Sequence, residues 1–292
     1  MIDHKEYTIR TTDRIKLYSQ TWSNGNIPRA LVCLIHGLGD HSSRFDEWAR
    51  LFVKQGFAVT AFDLRGNGKS EGKRGHASYE HLLNDIGLFV KESKKLFPKI
   101  PVILYGHSLG GALAINYTIK KQPKIAGLLT TSPWLKLYYQ PAAYLLYAGK
   151  VLNHIAPSYT FKSGLTREDF NGTQVSDNVV TEDFLLHNRI SVKLFFEANK
   201  YGNYALRNIY KINVPFLIIY GKDDKISSYK SCAEYVSNTG EKTKLKVFEN
   251  CNHNMHIGEN SLKVYKHILK WIEENCNIAN TNKVKVNEFI PH

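Results

Sequence analysis

Ser108 lies within Tyr105-Gly106-His107-Ser108-Leu109-Gly110-Gly111, a Gly-x-Ser-x-Gly pattern. A serine hydroxyl attacks an acyl carbon only when a base takes its proton and an acid orients that base. The flanks supply the setting such a nucleophile needs. Val102-Ile103-Leu104-Tyr105 is short, apolar and β-favouring, and Gly110 to Lys120 is alanine-rich with a helical pattern. A sharp strand-to-helix turn holds the serine in strained backbone geometry and presents its hydroxyl. The flanking glycines remove side chains that would strike the neighbouring strand and helix.

The acid and base of such a site follow the serine in chain order. The predicted strand Val214–Tyr220 runs into Gly221-Lys222-Asp223-Asp224, and Lys244–Phe248 runs into Glu249-Asn250-Cys251-Asn252-His253. All three groups therefore fall at the carboxyl edge of a parallel sheet, where such sheets bind ligands. Asp224 is the first choice of acid, with Asp223 as runner-up. His253 is the first choice of base, with His256 as competitor. The tetrahedral intermediate needs backbone donors, and the amides of Leu109 and of Leu38 in His36-Gly37-Leu38-Gly39 are the candidates for this oxyanion hole. His36 is read as support for that loop, and His107 as packed behind the serine. Asp63 and Arg65 are read as tying down the Gly66-Asn67-Gly68 turn.

Positioning these groups requires a particular order of elements. A hairpin near Tyr7–Arg10 and Ile15–Trp22, turning at Thr12-Asp13, opens the chain. Strands at Ala30–Ile35, Ala58–Phe62, Val102–Tyr105 and Ile125–Thr131 alternate with helices at Phe45–Gln55, Tyr79–Phe97 and after Ser108. The pattern predicts an α/β fold with a mostly parallel, doubly wound sheet. It breaks between Ser132 and Tyr210, where a helix is expected around Leu185–Asn199, and returns with Val214–Tyr220. A helix Leu262–Glu274 closes the fold. The expected organisation is a core of residues 1–131 and 211–276, an inserted helical cap at 132–210, and a loose polar tail at 277–292.

The chain has 292 residues, of which 43% are hydrophobic, enough for one large core. Lys and Arg number 39 against 26 Asp and Glu, a net charge of +13. The basic residues are scattered, without an Arg-rich run or nucleic-acid motif, so a solvated surface is favoured over nucleic-acid binding. A positive field also suits contact with anionic membrane surfaces. Cys33, Cys232, Cys251 and Cys276 form no Cys-x-x-Cys pair. This argues against a zinc site or disulfide framework and for a reducing compartment. No metal or cofactor is expected. The polar start, Met1-Ile2-Asp3-His4-Lys5-Glu6, lacks a signal-peptide core, and a cytoplasmic location with peripheral membrane contact is the expectation.

With these residues in hand, the chain resembles the monoacylglycerol lipase and lysophospholipase group of the α/β-hydrolases. The likeness is carried by His36–Phe45, by Asp63-Leu64-Arg65-Gly66-Asn67-Gly68-Lys69-Ser70-Glu71-Gly72 and by Gly106–Gly111. It continues in Leu186-His187-Asn188-Arg189-Ile190-Ser191, Gly221–Asp224 and Asn252–His256. The resemblance places the acid on Asp224 and the base on His253. It further implies that Asp40, Arg44 and His256 hold glycerol hydroxyls, with an aspartate here where glutamate is common. It implies that the insertion is a cap whose apolar residues line an acyl tunnel and meet membranes. Those residues are Trp134, Leu135, Leu137, Tyr138, the run Tyr144–Tyr147, Val151 and Leu152. A monoacylglycerol is the substrate implied first and a lysophospholipid the close alternative. An aminopeptidase would need an acidic pocket for a free amine, and no such cluster is seen in the cap. A non-catalytic relative of the same fold would be expected to have lost part of the triad.

Overall fold

The computed structural model describes residues 1–171, 183–237, 239 and 242–278. In chain order the strands are β1 (Asp3–Arg10), β2 (Lys16–Ser23), β3 (Leu31–Ile35), β4 (Ala58–Phe62), β5 (Val102–His107), β6 (Gly127–Thr131), β7 (Thr160–Lys162), β8 (Arg189–Ser191), β9 (Phe216–Gly221) and β10 (Thr243–Phe248). The helices are α1 (Asp46–Lys54), α2 (Tyr79–Leu96), α3 (Leu109–Lys121), α4 (Ala143–Ile155), α5 (Arg167–Asn171), α6 (Val192–Asn208), α7 (Tyr229–Val236) and α8 (Ser261–Asn275).

The main sheet has the order β1-β2-β4-β3-β5-β6-β9-β10. β2 runs antiparallel to both β1 and β4, and the remaining pairs are parallel. Parallel strands are buried on both faces, and β3, β4 and β5 are continuous buried runs. Alternate residues feed two cores. Leu31, Cys33 and Ile35 join Leu82, Phe89 and Leu113 on one face, while Val32 and Leu34 join Phe52, Ile268 and Trp271 on the other. The register aligns the carboxyl ends: Ile35 pairs with Gly106, His107 with Thr131, Thr131 with Ile219, and Phe248 with Gly221.

Several boundaries differ from the sequence expectation for physical reasons. Residues 189–191 are a strand, not a helix: they pair with β7, and the Ser191 hydroxyl then caps α6 by accepting from Leu194 N at 3.2 Å. β1 starts at Asp3 because β2 supplies its ladder, although its first residues are exposed and show no apolar alternation. The loose tail does not begin at residue 277, since Ile278 is buried in the second core. The expected tail beyond it, and part of the polar stretch after Ser163, lie outside the described residues.

The turn after β4 also departs in part. Asp63 does tie its surroundings, accepting from Ser42 N at 2.7 Å, Ser42 Oγ at 2.6 Å and Lys69 N at 2.8 Å. Arg65 instead reaches away from the turn. It meets Asp85 of α2 through Nε and Nη2 at 2.6 and 2.7 Å, and Asp13 of the β1–β2 turn at 2.7 Å. A planar guanidinium has the donors for two carboxylates at once, which a turn of this size does not require. Burial pushes the Asp85 carboxyl up, and Arg65 opposes that shift. Arg65→Ala should cost about 3–5 kcal/mol of stability at neutral pH because it leaves Asp85 buried without its counter-charge. Urea titrations should show the gap to wild type narrowing as pH falls, because protonation removes the stranded charge. An equal gap at every pH would contradict this account.

Candidate active site

The bend between β5 and α3 places Ser108 at φ 53° and ψ −118°. A non-glycine residue held there stores strain of roughly 1–3 kcal/mol, so the surroundings must over-determine it. They do so on three sides: Ser108 N donates to Thr131 O at 3.0 Å, and Ser108 O accepts from Ala112 N and Trp134 N at 3.1 and 3.0 Å. The flanking glycines are required by space. A Cβ on Gly106 would stand 2.4 Å from Gly110 O, and one on Gly110 would stand 2.3 Å from the carbonyl oxygens of Ile35 and His36.

His253 follows β10 and Asp224 follows β9. Ser108 Oγ lies 2.8 Å from His253 Nε2, and His253 Nδ1 lies 2.8 Å from Asp224 Oδ2. An ionised carboxylate only accepts, so Nδ1 carries the hydrogen and Nε2 offers its lone pair to the serine hydroxyl. Asp224 is 1% exposed. Its Oδ1 accepts from Ile226 N and Ser227 N at 2.8 and 2.9 Å, and Oδ2 also accepts from Ser227 Oγ at 2.6 Å. Burial opposes the charge, but His253 and the Ser227 donors outweigh it and hold the carboxyl below its ordinary value. Asp223 is exposed. His256 is stacked on Phe45 at 4.0 Å between ring centres, and neither of its buried ring nitrogens has a hydrogen-bond partner.

The loop after β3 lies against the serine: a Cβ on Gly37 would be 3.0 Å from Ser108 Cβ. Leu38 is the next residue along this loop, while Leu109 begins α3, where helix N–H groups lack intrahelical acceptors. His36 braces the loop. Its Nε2 accepts from Leu64 N at 2.9 Å, so Nδ1 donates to Gly37 O at 2.7 Å. Gly39 N is held by Asn67 Oδ1 at 3.0 Å.

His107 sits behind the serine. Burial drives its imidazole down to about 3, so it is neutral. Its Nε2 hydrogen goes to Asn254 Oδ1 at 2.7 Å, and its Nδ1 accepts from Thr131 Oγ1 at 3.1 Å. The Asn254 amide hydrogens go to Asp169 O and Phe170 O at 2.6 and 2.8 Å, which fixes that orientation. Asn254, Ser132 and Ser227 were not singled out in the sequence. The spacing of Asp224 and Ser227 is a turn signal that would have marked the latter. Asn254 lies within the Asn252–His256 segment that carries the family likeness, and nothing local marks Ser132.

Asp40 and Arg44 form a buried pair, Nε to Oδ1 at 3.0 Å. Arg44 Nη2 also donates to Phe170 O at 2.5 Å. His256 makes no hydrogen bond to this pair. Beside Trp134 opens a mostly apolar cavity of about 710 Å³, lined by Leu137, Leu145, Leu146, Leu152, Phe195 and Ile226 among others, with Lys225 on its wall. Of the residues expected at a tunnel, Leu135 is instead buried in the core, and Tyr138, Tyr144, Tyr147 and Val151 are exposed.

Comparison with known proteins places the chain in a family. Residues 26–260 match the family described as serine aminopeptidase, S33. An abhydrolase domain-containing protein of Dictyostelium discoideum is 34% identical over 90% of this chain, which spans 28% of that longer protein. Human monoglyceride lipase is 30% identical, with 91% of this chain and 89% of that protein covered. Among solved structures, the monoacylglycerol lipase of Paleococcus ferrophilus superposes with a TM-score of 0.79 at 29% identity, covering 88% of this chain and 98% of that one.

Two imidazoles shielded from water, one buried and one half-buried, make stability depend on pH. His107 lies at about 3 and His187, half-buried and near Arg74, at about 4, whereas the unfolded chain takes up these protons near 6.5. The unfolded state therefore binds more protons below 6.5, and stability falls as pH drops through that window, by about 2 kcal/mol per imidazole at pH 5. Against wild type, a His187→Gln variant should lose less stability between pH 7 and 5, read from urea midpoints. Parallel curves would refute the assignment.

Proposed function

The chain belongs to the monoacylglycerol lipase group of the α/β-hydrolases, and from that premise we propose that it releases a fatty acid from monoacylglycerol through an acyl-enzyme on Ser108. It is a hydrolase acting on esters. The observation that carries the finer reading is the unbroken run of hydrogen bonds from Ser108 through His253 to Asp224 beside an apolar cavity of about 710 Å³. That volume is in the range of small-molecule sites.

In the proposed reaction His253 Nε2 takes the Ser108 proton as Oγ attacks the ester carbon. Asp224 holds the imidazole in the required tautomer and stabilises its positive charge. The amides of Leu38 and Leu109 receive the oxyanion. His253 then protonates the departing glycerol oxygen, and water attacks the acyl-enzyme by the same route. No cofactor enters the scheme.

Residues 132–210 are read as a cap over the core of 1–131 and 211–276. The acyl chain lies in the cavity, and glycerol is directed towards Asp40, Arg44 and His256. Because Asp40 and Arg44 already satisfy each other, the hydroxyls would meet an ion pair. On α4 the residues Tyr144, Tyr147, Val151 and Ile155 are exposed along one side, and α4 has no fully buried residue. Such an apolar face suits transient contact with a membrane surface. Among the described residues no helix is long and apolar enough to cross one.

A lysophospholipid is the second reading, favoured by Lys225 on the cavity wall, where a phosphate would find a cation. The purified protein should hydrolyse monoacylglycerol faster than a lysophosphatidylcholine of the same chain. Ser108→Ala should lower the rate by roughly 10⁴-fold or more and abolish fluorophosphonate labelling. Preference for the lysophospholipid would move the function to phospholipid turnover and leave Asp40 and Arg44 a structural pair. Labelling at Ser108 without cleavage of either lipid would overturn the substrate class and keep the chemistry.

A further inference from the structure

The carboxylate of Asp224 has a donor that neither the backbone nor His253 supplies. Ser227 is fully buried, and its hydroxyl donates to Asp224 Oδ2 at 2.6 Å. That oxygen also accepts from His253 Nδ1, which lies 3.5 Å from Ser227 Oγ. Behind this cluster stands Ser132, fully buried at the end of β6 with φ 46°. Ser132 N donates to Ile219 O at 2.7 Å, and its hydroxyl donates to His253 O at 2.8 Å. Its carbonyl is 3.3 Å from Ser227 Oγ. One hydroxyl hydrogen cannot serve two acceptors equally, and the shorter, charge-assisted contact to Asp224 prevails.

We propose that Ser227 is a positioning residue that locks the Asp224 carboxylate towards His253. The inference rests on the catalytic reading of Ser108, His253 and Asp224. Two backbone N–H groups fix Oδ1, but they leave Oδ2 with only the imidazole, and the Ser227 hydroxyl is the remaining constraint on that oxygen. Its donated hydrogen also draws charge from Oδ2, so the carboxylate stabilises an adjacent imidazolium less. Removing the hydroxyl makes Oδ2 more negative, and the pair then takes up its proton at higher pH. Ser132 anchors the backbone of the base to the same place, and so keeps the two loops in register.

Other charges near the pair stay in place in the variants. His107 faces His253 at 5.1 Å between ring centres and is neutral. His256 is held uncharged by burial, His107 and Arg44. Tyr220 is buried with its hydroxyl donating to Pro133 O, and burial pushes its proton loss far above neutrality. Asp223 and Lys225, the neighbours in sequence, are exposed. A shift in the acid limb on changing Ser227 therefore reads the hydroxyl.

The test is the pH profile of kcat/KM for a soluble short-chain ester, measured for wild type, Ser227→Ala and Ser227→Cys, with Ser108→Ala as control. Ser227→Ala is expected to lower kcat about tenfold near neutrality with KM within about twofold, and to move the acid limb up by about 0.5 pH unit. A thiol is a weak donor, so Ser227→Cys should fall between the two. It also supplies the measurement if the alanine variant does not fold. A limb that superimposes on wild type in a folded variant overturns the assignment, whatever happens to the melting temperature. Full activity in Ser108→Ala would instead overturn the catalytic reading, and this inference with it.

Discussion

Much of this molecule depends on a place where no side chain fits. Gly106 and Gly110 let β5, α3 and the end of β3 meet so closely that a methyl group on either glycine would overlap a carbonyl oxygen. That approach forces Ser108 into positive φ and turns its hydroxyl out of the sheet. The rest of the architecture compensates for the strain. Thr131 and Trp134 grip the serine backbone, and the aligned strand ends bring Asp224 and His253 to the same edge. The electrostatics then follow from burial. A carboxylate this deep persists only because four donors converge on it.

The parallel core was legible because its strands are uninterrupted apolar runs and its turns carry glycine at fixed places. Ser108 and Asp224 were legible for the same reason, since each follows such a run within a few residues, whereas His253 follows the lysine-interrupted edge strand β10 and was marked by its place after that strand. Arg65 shows where the sequence stopped. Its neighbours in the chain suggested a turn, but its partners Asp13 and Asp85 are brought to it by the hairpin and by α2. The start of α6 is another case. The apolar pattern from Leu185 fits a helix, yet pairing with β7 claims residues 189–191. Asn254 stands inside the Asn252–His256 motif, but the motif does not tell its function, which is to join His107 to a carbonyl pair far along the chain.

The histidines divide by environment. His36, His107, His187 and His256 are all driven towards the neutral form by burial. Three of them, His36, His107 and His187, spend their ring nitrogens on backbone or side-chain partners, and so act as rigid spacers with fixed tautomers. His253 differs in having one nitrogen against a carboxylate and the other against a hydroxyl. A residue type that suggests acid–base chemistry is thus used mostly as structure here, and only its neighbours tell the two uses apart.

The carbonyl of Phe170 accepts from Arg44 on one loop and Asn254 on another. This is a joint with two fasteners. Arg44 belongs to the loop that approaches Ser108 from β3, and Asn254 is bonded in sequence to His253. Helix α5 cannot lift away without surrendering a hydrogen bond to each loop at once. Uncovering this side of the cleft and disturbing the neighbours of the base are therefore a single mechanical event.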